Sequence, residues 1–289
     1  MDHKWWKENR PVRFCCLMVR RYLRHGVGVQ AAALAFYLLF MIFPFLIFLS
    51  ALLGLLHLDV AGILTVLERV IPREAAEIIG VYLQHVQSHP SPQLAAFGLV
   101  FSIWFPMRSA NTLMRAVRTA YHLGPPRVAF VHTVKSLVYT VLFIAAIALT
   151  FAALSVSDWI WDYGVEHFYL PVFVAEIWAK LRFPAVGAVG FFALCGLYIL
   201  AQDERPAWRS IWPGTVAALG GWLAISWLYN YYVENFASYS TLYGSIGAII
   251  VVLIWLNLSA VVLIMGAEMN GVLMQMSAGS TEREERKRG

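Results

Sequence analysis

The chain has 289 residues, 60% of them hydrophobic and only 13% charged, where a soluble domain carries about 25% charged residues. No polar stretch is long enough to form a soluble domain, so all but the ends reads as membrane-embedded helix or short loop. The net charge of +5 invites a nucleic-acid reading, which the placement of the charges excludes.

Residues 1–30 form a basic segment holding Lys4, Lys7, Arg10, Arg13, Arg20, Arg21 and Arg24, with Trp5 and Trp6 among them. Phe14, Leu17, Met18 and Tyr22 fall on one side of a helix. An amphipathic helix on a membrane surface and a solvated leader held inside by its charge both fit. The first apolar run starts near Ala31, too late and too long for a signal peptide, so it is expected to remain as an anchor. Cys15, Cys16 and Cys195 are too few and too badly spaced for a disulfide framework and read as free thiols.

Span 1 is expected over 31–56, with Pro44 kinking its middle. Residues 59–90 show helical spacing of apolar positions broken at Pro72, which predicts two amphipathic helices in the first outside loop. Span 2 is the weak one. Its clean apolar stretch, 94–105, reaches only about 18 Å, so to cross it must run through Pro106 and carry Arg108 inward. Spans 3 to 5 are expected at 137–156, 184–201 and 211–231. Span 6, at 246–267, is uncharged and about 33 Å long. It starts at the Tyr243–Gly244 turn, carries Asn257 near its middle and ends at Glu268. Residues 31–275 thus read as a six-helix, all-α membrane domain, and 276–289 as a disordered charged tail.

The positive-inside rule supports six spans. With six, one side carries 18 Lys and Arg and the other 4; without span 2 the split is 9 against 13. Both termini are then expected in the cytoplasm. The basic balance becomes an orientation signal, and no nucleic-acid partner is expected.

The residues also resemble the YihY/BrkB membrane proteins of bacteria, a group once mislabelled ribonuclease BN. The resemblance covers about 20–275. It rests on AAALAFYLLFMIFPFLIF at 31–48, SANTLMRAVRTAY at 109–121, Trp212-Pro213-Gly214, and YGSIGAII with WLNLSAVVLIMGAEMN within 243–270. It implies a six-helix protein of the cytoplasmic membrane linked to the cell envelope, with no settled activity. Met41, Ile42 and Phe43 before Pro44, and Arg108 before Ser109, depart from the family's serines.

Candidate site residues follow from the cost of polar groups in lipid. Glu268 reads either as an interfacial carboxylate in water at the inner headgroups or as the partner of Arg108, the pair locking span 2 to span 6. Asn257 reads as packing glue or as part of a polar path with Arg108 and Asn111. Arg115 and Arg118 read as inner-surface anchors or anionic headgroup contacts. Gly244, Gly247 and Gly266 supply small residues for close helix packing, and Pro44 and Pro106 supply kinks. Tyr229, Tyr231, Tyr232, Tyr239 and Tyr243 read as an aromatic belt.

Enzyme readings fare poorly. His85 and His89 stand four apart but lack the glutamate of a zinc protease, and no Gly-Lys pair exists for a phosphate loop. No catalytic residue, cofactor or metal is expected. Two functions stay open: a protein that moves or handles a lipid or small anionic solute, and a non-transporting structural or assembly factor of the envelope. Membrane lipids are the expected partners, and the oligomeric state stays open.

Overall fold

The structure is a computed structural model that describes residues 10–56, 92–126, 128–159, 172–203, 206–236 and 245–288. These form α1 (Arg10–Arg24), α2 (Val27–Leu56), α3 (Pro92–Ala120), α4 (Ala129–Trp159), α5 (Val172–Leu200), α6 (Trp212–Phe236) and α7 (Ser245–Arg288), with a 3-10 turn at Trp208–Ser210. No strand occurs among the described residues. The protein is an all-α membrane protein. Four stretches are long and apolar enough to cross: Val27–Phe48, Ala129–Ile147, Trp208–Val233 and Ile249–Ser277, with Pro184–Leu200 a shorter apolar helix. Between 22% and 28% of each of the four is buried in the protein. Most of their apolar surface therefore faces outward, as lipid-facing helices require.

The expected span 2 falls on α3, which is not among the four. Its 29 residues run unbroken through Pro106, about 43 Å of helix, and it carries Arg108, Arg115 and Arg118. The expected outside helices of 59–90 lie outside the described residues, as do Gly244, Tyr239 and Tyr243. The tail from 276 continues α7 as helix to Arg288, because Met, Glu, Lys and Arg are strong helix formers and no Pro interrupts them.

The chain forms two compact units, Met1–Leu34 with Ala110–Gly289, and Ala35–Ser109. In the smaller unit, Pro44 is buried inside α2 and removes one helical hydrogen bond. There α3 presents Gly98, whose added Cβ would stand 2.6 Å from the backbone nitrogen of Phe48 and 3.0 Å from the carbonyl oxygen of Pro44. The two backbones touch because Gly98 has no side chain. Phe101 and Phe40 each stand with their ring centroid 6.1 Å from that of Phe105 beside this contact.

In the larger unit, α6 and α7 form the most extensive pair. Trp222 Nε1 donates to Ser259 Oγ at 3.1 Å, and Trp255 Nε1 donates back to Ser226 Oγ at 3.2 Å. Deeper along the pair, a Cβ on Gly214 would collide with the carbonyl oxygen of Gly266, and one on Gly266 would lie 2.6 Å from Ala218 Cβ. Asn270 spans the crossing. It accepts from the Gly214 N–H at 2.6 Å and donates to the Ile211 carbonyl at 2.8 Å, satisfying an orphan donor in the first turn of α6. Tyr198 of α5 donates to the Leu263 carbonyl at 2.8 Å.

Gly266→Val should lower the melting temperature of the detergent-solubilised protein, since overpacking costs about 1–3 kcal/mol. Gly220→Ala, at a position with open space around its Cα, should leave it within error. Equal behaviour of the two variants contradicts the close-packing argument.

Candidate functional site

Polar groups cluster at the end of the larger unit where α1, the C-terminus of α3 and the second half of α7 meet. Gly26, at φ 62, makes the left-handed turn between α1 and α2, a conformation glycine adopts without strain. Arg21 and His25 lie one helical turn apart and so share a face. Arg21 is 5% exposed and Glu268 0%. Arg21 Nη1 donates to Glu268 Oε2 at 3.1 Å and to the Ala120 carbonyl at 2.8 Å, and Nη2 donates to Gln275 Oε1 at 3.1 Å. His25 Nδ1 stands 2.5 Å from Glu268 Oε1. An ionised carboxylate only accepts, so Nδ1 carries the proton. Gly271 admits this arrangement, because a Cβ there would collide with the Ala120 carbonyl oxygen and lie 2.6 Å from Arg21 Nη1.

The end of α3 is built around His122. The Leu123 N–H bonds the Arg118 carbonyl at 2.9 Å and the His122 N–H bonds that of Thr119 at 3.1 Å, the two bonds of a Schellman cap. The cap needs a left-handed residue, usually glycine, yet His122 fills it at φ 55. Its side chain explains the choice: Nε2 lies 2.7 Å from Arg21 Nη2. A guanidinium has no acceptor, so Nε2 must be unprotonated. Burial, then the charges of Arg21 and His25, hold the imidazole below its ordinary range, with Glu268 opposing them.

A second cluster joins α3, α4 and the α5 end. Arg118, 4% exposed, grips Asp203 with both arms at 2.9 Å. It also bonds the carbonyls of Gly124, at 3.1 and 2.7 Å, and Ala201, at 3.0 Å. All five guanidinium donors are thereby used. Lys135 Nζ donates to the Gln202 carbonyl at 2.7 Å, and Ser136 Oγ to Asn111 Oδ1 at 2.5 Å. His132 is 7% exposed and its Nε2 has no hydrogen-bond partner among the described residues, an omission worth about 1–3 kcal/mol.

Two partly open apolar grooves lie between helix pairs of this unit. One, of about 710 Å3, lies between α6 and α7 and is lined by Ile225, Leu228, Tyr229, Tyr231, Tyr232, Ile254 and Leu258. The other, of about 630 Å3, lies between α4 and α5 and runs from Tyr139 to Leu149 and from Ala185 to Gly196. Among the described residues, no three His, Cys, Asp or Glu side chains group as a metal site. Cys15, Cys16 and Cys195 are free thiols.

The residues singled out in the sequence are distributed as follows. Glu268, offered to Arg108, has both carboxylate oxygens engaged by Arg21 and His25. Arg108 stands with its guanidinium carbon 5.1 Å from the Trp104 ring centroid, a cation–π contact. Asn111 ties α3 to α4, Asn257 is half-buried on α7, and Arg115 is exposed. Gly247 and Pro106 are buried. Sequence reading missed Arg21, His25, His132, Asp203 and Asn270. The four-residue spacing of Arg21 and His25 was a usable signal; the others carried none.

Leaving one member of a buried ion pair alone costs about 3–5 kcal/mol. Arg21→Met and Glu268→Leu should each lower the melting temperature, and the joint variant should recover much of the loss. Additive losses contradict the pairing. For His122 the unfolded chain binds the proton more readily, so stability should fall as pH drops below about 6.5. His122→Asn, which keeps a left-handed residue with an acceptor, should flatten melting temperature between pH 7 and 5; an unchanged slope contradicts the assignment.

Residues 18–289 match the family described as Virulence factor BrkB. YfkH of Bacillus subtilis, named as ribonuclease-like, is 30% identical over 88% of this chain and 92% of its own length. A UPF0761 membrane protein of Nitrosospira multiformis is 24% identical over 91% of this chain and 61% of its own. One of Pasteurella multocida is 23% identical over 69% of this chain and 60% of its own. This chain is thus similar to part of those two longer proteins. No solved structure matches it. Helices built to cross a bilayer and a match over nearly the whole chain agree: this is a member of the BrkB family of membrane proteins.

Proposed function

We propose that the protein handles lipids in the bacterial cytoplasmic membrane, with six spans and its arginine-rich end in the cytoplasm. The side-opening apolar grooves carry this reading. Each is of the volume class of a small-molecule pocket, about 300–1,000 Å3, and each opens sideways along a span, where acyl chains lie. A polar route for a small anionic solute has less support. Asn111 and Ser136, Ser259 and Trp222, Ser226 and Trp255, and Asn270 and Gly214 bond to one another across helices. Groups occupied in this way hold helices together and do not line a path. The lopsided distribution of Lys and Arg, 18 against 4, supports the orientation.

The close-packed α6–α7 pair favours a second reading, a non-transporting structural or assembly factor of the envelope. A rigid pair joined by glycine contacts and reciprocal Trp–Ser bonds suits a scaffold.

Reconstitution into liposomes separates the two. The lipid-handling reading expects fluorescent phospholipid to exchange between leaflets faster than in empty liposomes, with no added flux of small anions. Exchange equal to that of empty liposomes overturns it and leaves the scaffold. Anion flux without lipid exchange overturns both.

A further inference from the structure

We propose that the head of the α4–α5 groove binds the phosphate of an anionic phospholipid, with one acyl chain lying along the groove; this rests on the lipid-handling reading and assigns its headgroup site. The groove's α4 wall runs from Tyr139 to Leu149, about 15 Å of helix. That is half of a hydrocarbon core of about 30 Å, the depth one acyl chain occupies in one leaflet.

The groove's stripe on α4 continues toward the helix start. Lys135 precedes Tyr139 by four residues and His132 by seven, so both fall on the same face. Arg115, on α3, is exposed, and its guanidinium makes no hydrogen bond or ion pair among the described residues. Asn111, one turn before Arg115, accepts from Ser136, one turn after His132, so Arg115 and His132 occupy neighbouring positions along the α3–α4 contact.

These charges do not cancel. Asp203 is the acid of the cluster, and Arg118 holds it in a two-armed pair. Among the described residues Arg115 and Lys135 have no acid partner, and Lys135 spends one of its three donors, on Gln202. His132, 7% exposed, has an Nε2 with no hydrogen-bond partner among the described residues. Two cations without an acid partner and a buried imidazole thus lie on α3 and α4 beyond the Tyr139 end of an apolar, chain-length groove. A phosphate diester with an attached acyl chain matches both halves; free phosphate matches only the first.

The full-length protein in detergent micelles tests the site by native mass spectrometry. The probes are dioleoyl phosphatidylglycerol, dioleoylglycerol and inorganic phosphate. Wild type should retain phosphatidylglycerol above dioleoylglycerol, and inorganic phosphate should not displace it. Arg115→Gln and Lys135→Gln should each weaken retention roughly fivefold, the scale of one basic residue at an anionic surface. Ala146→Phe, which fills the groove, should weaken retention while leaving the cations in place. Arg209→Gln, outside the cluster, should retain lipid as wild type does. Undiminished retention in Arg115→Gln, whose exposed position puts folding at little risk, overturns the site. Displacement by inorganic phosphate overturns the lipid as occupant. Retention that follows these expectations without leaflet exchange in liposomes leaves the site standing and removes the transport reading. Exchange with undiminished retention removes the site alone.

Discussion

A carboxylate with no exposed surface can stay ionised only if the protein supplies its counter-charge. Glu268 sits on the helix that holds the larger unit together, and Arg21 and His25 reach it from α1. Much of the surrounding backbone is arranged for that encounter. Gly26 turns the chain so that α1 lies alongside, Gly271 lets α7 approach the end of α3, and His122 accepts a left-handed conformation to meet the remaining arm of Arg21. Removing the charge compensation would strand an ion and undo the reason for three local features at once.

The apolar packing serves the same meeting point. Gly214, Gly266 and Asn270 fix the approach of α6 to α7, which sets the position of the next turn of α7, where Gly271, Val272 and Gln275 lie. Where helices cross on glycine, neither can shift without a backbone collision, so the polar cluster inherits its geometry from the crossing. The grooves are the complement of this economy. Between α4 and α5, small residues such as Ala146, Ala188 and Gly196 line the walls of a groove.

Two arginines one turn apart illustrate how context divides roles. Arg115 and Arg118 read alike in the sequence, as basic residues at the inner surface. In the fold Arg118 is buried with every donor spent on Asp203, Gly124 and Ala201, while Arg115 is exposed. One turn of a helix separates a structural latch from an exposed charge.

The sequence by itself determined the class. Long uncharged runs leave no alternative to membrane helices, and the residue motifs pointed to the family that the match over 18–289 established. It also exposed Glu268 as the acid to explain, since a carboxylate beside a long apolar run must find a partner. The tertiary structure alone decided which partner. Arg21 lies 247 residues from Glu268, and Asn270 lies 56 from the Gly214 it caps. Such pairs follow from which helices neighbour one another, and apolar periodicity leaves that open because every lipid-facing span looks alike. His132 makes the same point: a histidine in a basic stretch gains meaning only once the fold buries it beside a groove.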